Sequence, residues 1–125
     1  MSMLSNKLRG WSHGDRKGLV YWCQGCECTH GIVVEGPGAW GWNGDVDRPI
    51  FTPSVLTTWK ANPDAGPGFE EYRTERRCHT FVGCSGAQPG EVIFLSDCTH
   101  ALAGTVQPLP DLPAHHRDDL DGGQE

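Results

Sequence analysis

The sequence lacks long apolar runs, a clear helical period and an excess of positive charge. No stretch among the 125 residues approaches the roughly 20 apolar residues that span a bilayer, so we expect no membrane segment. Residues 1–10 are polar and carry no apolar core of a signal peptide, so we expect a cytoplasmic protein. The net charge of −6 disfavours a general nucleic-acid binder, which needs a basic surface.

Glycine and proline are abundant, with 17 and 9 residues, and hydrophobic residues make up only 37% of the chain. This composition favours short strands and turns, and it leaves a sparse core that needs a staple. We therefore predict a mainly β, small single domain of short antiparallel strands and hairpins, stapled by a structural zinc ion. Its predicted parts are a loose N-terminal segment at 1–17, the zinc-stapled β-rich domain at 18–110 and a disordered acidic tail at 111–125, which contains His115 and His116.

Six cysteines in a cytoplasmic protein indicate metal binding, whereas the same number in a secreted protein would indicate three disulfides. Cys23 and Cys26 have the spacing of a zinc-ligand pair, and Gly25 suits the tight turn between them. A thioredoxin-like redox pair is the alternative, but no helix is predicted after Cys26, as that motif requires. Cys28 and Cys84 have no assigned role.

A β-hairpin is predicted over residues 77–100, where two short apolar runs flank a turn rich in glycine and proline. If Val82 lies opposite Val92, the alternation of side chains puts Cys78 and Cys98 on one face of the hairpin. Thiolate ligands favour zinc over magnesium or calcium. The predicted ligands are Cys23, Cys26, Cys78 and Cys98, and His100 and His30 are the alternative ligands.

The opposite face of the same hairpin carries His79 and Asp97 in this register. Ser54 follows Pro53 in a rigid Thr-Pro-Ser corner. A serine nucleophile needs a neighbouring base, and the base needs a group that orients it. Ser54, His79 and Asp97 are therefore a candidate catalytic triad, although a serine after proline is also a common turn residue.

Several motifs together resemble those of one family of small proteins. The family pattern joins a tryptophan and a zinc knuckle, a Trp-Gly-Trp-Asn-Gly-Asp segment that leads into Pro-Ser-Val, an Arg-Cys-His segment and a Phe-Leu-x-Asp-Cys-x-His segment. These motifs stand here at residues 22–30, 40–55, 77–81 and 94–104. The family is found in phages, where many members carry an ammonia monooxygenase label, and in bacterial Bub-type operons for ubiquitin-like conjugation.

The resemblance implies a zinc-stabilised, serine-type peptidase or isopeptidase that acts on a ubiquitin-like protein or its conjugates. It also implies that zinc is the cofactor and that a ubiquitin-like protein is the partner. The chain departs from the family pattern at Gln24, which replaces a proline. It departs also in a longer hairpin turn containing Cys84 and Pro89, which could alter a substrate groove.

Two other functions remain open from the residues. The first is a non-catalytic zinc-binding module, of phage or defence-related type, that binds a protein partner. The second is a zinc-dependent hydrolase in which His79 or His100 completes a three-ligand zinc ion that holds a water. A thiolate-rich ligand set argues against the second, because thiolates lower the Lewis acidity left for the water.

Overall fold

Two antiparallel β-sheets make up the computed structural model, which describes residues 2–114. The first sheet has the order β1-β2-β3-β4, with strands Ser2–Met3, Arg9–His13, Arg16–Cys23 and Cys28–Glu35. The second has the order β5-β6-β7-β8-β9, with strands Gly41–Trp42, Phe51–Trp59, Arg76–Val82, Glu91–Phe94 and Val106–Pro108. The prediction of a mainly β fold of antiparallel strands is confirmed.

Helical structure in the described residues is confined to short 3-10 turns, the longest of which is Glu70–Arg73. None of these has the length and apolarity that a membrane-crossing helix needs. The hydrophobic core joins the two sheets, and Tyr21 of β3 stacks on Phe51 of β6 with ring centroids 5.8 Å apart. Leu19 and Ile32 from the first sheet and Phe94 from the second are also buried in this core.

The N-terminal segment is ordered, which corrects the expectation of a loose segment at residues 1–17. Leu8 is fully buried, and the ring of Trp11 packs on the backbone of Gly18, where a Cβ atom would collide with it. These two apolar residues are isolated among polar ones, so a search for continuous apolar runs overlooks them. The segment therefore contributes β1, β2 and the start of β3.

The predicted acidic tail is also packed at its beginning. Leu112 is buried, and its backbone N–H donates to the Asn6 carbonyl over 2.8 Å. A single leucine among prolines is enough to anchor residues 111–113 to the N-terminal segment. Residues 115–125, with His115 and His116, lie outside the described residues, as does Met1.

A bulge in β6 interrupts its pairing with β7. Phe51 lies opposite Val82 and Val55 lies opposite Thr80, so three residues of β6 occupy the space of one residue of β7. The bulge contains the cis Thr52–Pro53 peptide bond and Ser54. Proline lacks the N–H that a ladder uses, and a bulge tolerates that loss while redirecting the side chains within it.

The β7–β8 hairpin has the predicted register, with Val82 opposite Val92. The ladder does not continue in this register beyond β8, because the Thr99 N–H donates to the Arg77 carbonyl over 2.9 Å. A tight turn follows β8 and adds residues that a regular ladder would not contain. This turn decides where the functional residues after β8 lie.

Candidate functional site

Ser54, His79 and Asp97 lie in contact on the outer face of the second sheet. The Ser54 Oγ atom is 3.1 Å from His79 Nε2, and His79 Nδ1 is 3.2 Å from Asp97 Oδ2. The His79 side chain is 26% exposed and that of Asp97 is 43% exposed. The structure thus brings together the three residues that the sequence predicts as a triad.

Each of the three residues is positioned by a different local feature. Ser54 comes from the β6 bulge, and its backbone carbonyl accepts a hydrogen bond of 2.8 Å from the Trp40 indole. His79 comes from the outward-facing positions of β7, between the buried residues Cys78 and Thr80. Asp97 comes from the turn after β8. A residue from a bulge and a residue from a turn therefore meet at the imidazole ring of a strand residue, His79.

The turn after β8 is fixed to the backbone of His79 on both sides. The Leu95 N–H donates to the His79 carbonyl over 2.9 Å. Cys98 exchanges two bonds with the same residue: its sulfur accepts from the His79 N–H and its thiol donates to the His79 carbonyl, both over 3.3 Å. This double attachment holds Asp97, between Leu95 and Cys98, beside the imidazole ring.

A hydroxyl, an imidazole and a carboxylate in this order can act as nucleophile, base and orienting group. In the tautomer that suits this chemistry, Nδ1–H donates to Asp97 and Nε2 accepts from the Ser54 hydroxyl. Arg77 stands 3.9 Å from the same Asp97 oxygen and adds positive charge beside the carboxylate.

Two residues near the nucleophile have roles that sequence reasoning missed. Trp40 fixes the Ser54 carbonyl, and the Cys84 thiol donates to the carbonyl of Pro53 over 3.3 Å within the bulge. From the sequence, Cys84 had no assigned role. No local sequence pattern reveals these contacts, because Trp40 is 14 positions from Ser54 and Cys84 is 31 positions from Pro53.

A second cluster lies on the inner side of β7 and contains Cys23, Cys26, Cys78 and His100. Their ligand atoms are all within 4.8 Å of one another. Three are predicted zinc ligands, and the fourth, His100, is one of the two predicted alternatives. Cys98 lies outside the cluster, because the turn after β8 directs its sulfur to the His79 backbone. The expected ligand set therefore differs from the observed cluster at one position.

The dimensions and chemistry of the cluster are compatible with zinc binding. Two thiolates on a tetrahedral zinc ion, with Zn–S distances of about 2.3 Å, lie about 3.8 Å apart. The Cys23 and Cys78 sulfurs are 3.8 Å apart. The buried Nε2 of His100 has no hydrogen-bond partner among the described residues, and a Cβ atom at Gly25 would collide with its imidazole ring. The glycine thus leaves the room that the histidine needs to approach the thiols.

Hydrogen bonds among the three thiols and burial shift the pKa values of the four clustered residues. Hydrogen bonds from Cys26 and Cys78 lower the pKa of Cys23. The bond between Cys23 and Cys26 raises the pKa of Cys26 to about 12. The pKa of Cys78 is raised, first by its hydrogen bond to Cys23. Burial lowers the pKa of His100, which favours the neutral imidazole that a metal ligand requires.

The remaining candidates lie beside the cluster. His30 is buried between Tyr21 and Trp59, with ring centroids 5.8 Å and 6.0 Å away, and it is not among the four clustered residues. Cys28 is also outside the cluster, and burial raises the pKa of its thiol. All six cysteines carry free thiols.

Comparison with protein families matches residues 3–88 to one family, described as the bacterial ubiquitination-like system serine protease, BubE. The matched range contains Ser54, His79 and the three clustered cysteines, and it ends before Asp97 and His100. Comparison with curated proteins and with solved structures finds no match. Because the matched range covers more than half of the chain and carries both the serine and the histidine of the outer-face site, the protein belongs to the BubE family of serine proteases from bacterial ubiquitination-like systems.

Proposed function

We propose that the protein is a serine-type peptidase or isopeptidase that cleaves a ubiquitin-like protein or its conjugates. Its catalytic residues are Ser54, His79 and Asp97. The observation that carries the proposal is the unbroken chain of contacts from hydroxyl to imidazole to carboxylate, at 3.1 Å and 3.2 Å. The family description supplies the reaction class and the kind of system in which the substrate occurs.

The reaction follows from the positions of these atoms. The Ser54 Oγ atom attacks the carbonyl carbon of the bond to be cleaved while His79 Nε2 takes the hydroxyl proton. The Asp97 carboxylate holds Nδ1–H and stabilises the imidazolium that forms. His79 then gives the proton to the leaving amine, and the acyl group stays on Ser54 as an ester. Water hydrolyses the ester with His79 again acting as the base.

Zinc has a structural role in this proposal, held by Cys23, Cys26, Cys78 and His100. When bound, it supplies a cross-link between the two sheets, and a set of four protein ligands leaves no position for a catalytic water. Cys78 and His79 are neighbours in β7, so their side chains lie on opposite faces of the sheet. His79 is in contact with Ser54 and Asp97, which disfavours a zinc-dependent hydrolase built on that histidine.

Cleavage of ubiquitin that carries a short C-terminal extension tests the proposal. Ser54→Ala should lower the rate by about 10³-fold or more, as when a triad member is removed, and leave zinc content unchanged. Ser96→Ala is the matched control, since this exposed serine stands next to Asp97, whereas the His79 ring bonds to Ser54 and Asp97. A Ser54→Ala variant as fast as the parent would exclude the serine mechanism. A parent protein that cleaves no extended or conjugated ubiquitin-like protein would favour the binding-module alternative.

A further inference from the structure

Within residues 2–114, no strand lies beside the edge of β6 that follows Ser54. β5 pairs only with Phe51 and Thr52, so residues 55–59 pair with β7 on one side alone. Leu56 and Thr58 are exposed, and Leu56 is 53% accessible to solvent. A strand edge of this kind presents backbone donors and acceptors to whatever lies beside it.

The direction of these backbone groups follows from the hydrogen bonds of β7. The carbonyls of His79 and Arg77 each accept a bond of 2.9 Å from the segment after β8, away from β6. In an antiparallel pair, when one residue points its N–H and C=O away from the partner strand, the residue opposite does the same. Leu56 lies opposite His79 and Thr58 lies opposite Arg77. The N–H and C=O groups of Leu56 and Thr58 therefore point outward, and no described residue bonds to them.

We infer that this edge binds the extended C-terminal tail of the ubiquitin-like substrate as an additional strand, an inference that rests on the proposed function. An extended peptide presents pairs of N–H and C=O groups at the spacing of Leu56 and Thr58, and strand addition to a sheet edge is a general mode of peptide binding. The main-chain bonds hold the tail irrespective of its side chains. Leu56 lies opposite His79 and adds an apolar contact on the same outer face.

The position of the edge would bring a bound tail to the Ser54 hydroxyl. Leu56 lies two residues from Ser54, about 7 Å along an extended strand, so a paired tail runs directly to the nucleophile. The pairing ends at Ser54, because the Trp40 indole already bonds to the Ser54 carbonyl. A tail that runs along this edge thus leaves the ladder beside the Ser54 hydroxyl, where its next carbonyl meets the nucleophile.

A pair of variants at Thr58 tests this mode of binding with the extended ubiquitin as substrate. Thr58→Pro removes the outward N–H but no hydrogen bond within the sheet, a substitution that an open strand edge tolerates. It should lower kcat/KM about tenfold, the effect of one lost hydrogen bond. Thr58→Val keeps the N–H and should stay within about twofold of the parent. Equal rates for the two variants would overturn the inference while leaving the serine mechanism intact.

Amide hydrogen exchange gives a second readout that needs no cleavage and no proline. Ser54→Ala saturated with the extended ubiquitin should exchange the Leu56 and Thr58 amides at least about tenfold more slowly than without it. The Thr57 amide, which already faces β7, is the internal control. Absence of binding, or binding without this protection, overturns the inference. If both amides are protected without substrate and the protein sediments as a dimer, the edge binds a second copy of the chain. That result also overturns the inference. If Ser54→Ala shows this protection but the parent protein does not cleave the same substrate, the proposed function alone is refuted.

Discussion

Cys78 and His79 are adjacent in β7, yet their side chains belong to separate clusters on opposite faces. Cys78 is buried with Cys23 at 3.8 Å, while His79 contacts the Ser54 hydroxyl at 3.1 Å. Strand alternation alone is enough to separate the Cys/His cluster from the proposed catalytic histidine by one position in the sequence. The two residues therefore allow the two clusters to be perturbed independently.

Cys78→Ser and His79→Ala should affect different measured quantities. Cys78→Ser removes a thiolate ligand, so it should lower both zinc content and the melting temperature, because metal binding and folding are coupled. His79→Ala should keep the zinc and lower the cleavage rate about as much as Ser54→Ala does, and the double variant should lose little more. Elemental analysis, thermal unfolding and cleavage rates check this. Zinc loss in His79→Ala would place that histidine among the metal ligands.

At the scale of elements, the loop between β5 and β6 places the bulge. Asn43 makes three hydrogen bonds in it: its side-chain oxygen accepts from the N–H groups of Asp45 and Ile50, and its amide donates to the Arg48 carbonyl. Asp45 accepts from two further backbone N–H groups, which lowers the pKa of its carboxyl. The Asn-Gly-Asp motif thus orders the chain that enters β6.

Asn43→Ala should remove all three of these bonds and lower the free energy of unfolding by about 1–2 kcal/mol, since each exposed bond contributes modestly. Asp47→Ala is the control in the same loop, because the Asp47 side chain has no hydrogen bond to any of residues 2–114, and its effect should stay within about 0.5 kcal/mol. Denaturant unfolding of both variants measures the difference. Equal stabilities would show that the loop forms without the asparagine.

At the scale of the whole molecule, the Cys/His cluster brings together residues that are far apart in the sequence. Cys23 is the last residue of β3 in the first sheet and Cys26 lies in the turn after it. Cys78 belongs to β7 in the second sheet, and His100 follows β8. A small core gains most from a cross-link of this kind. The two sheets and the turn that carries Asp97 are therefore predicted to depend on one ion.

Purified protein should hold about one zinc ion per chain, and a strong chelator should unfold it and abolish cleavage together. Elemental analysis and circular dichroism during chelation measure both effects. Restoring zinc should restore both. A metal-free protein that stays folded, with its cysteines mapped as disulfides, would contradict the structural role of the metal.

Local patterns in the sequence predict part of this molecule, and distant contacts decide the rest. The register of Val82 against Val92 follows from alternation and turn residues, which are local. The exchange of Cys98 for His100 in the cluster follows from a tight turn after β8, which no periodicity reveals. The anchoring of the N-terminal segment by Leu8 depends on a core assembled from both sheets. The Trp40 contact with Ser54 is likewise a product of the fold.

The serine mechanism is tested most directly by labelling with a fluorophosphonate, a reagent that reacts with activated serine hydroxyls irrespective of the natural substrate. Peptide mapping by mass spectrometry should find one adduct, on Ser54, because only this hydroxyl in the described residues contacts an imidazole. His79→Ala should lose the adduct while retaining its zinc. A protein that is folded and zinc-loaded but remains unlabelled, or that is labelled on another serine, would contradict the account.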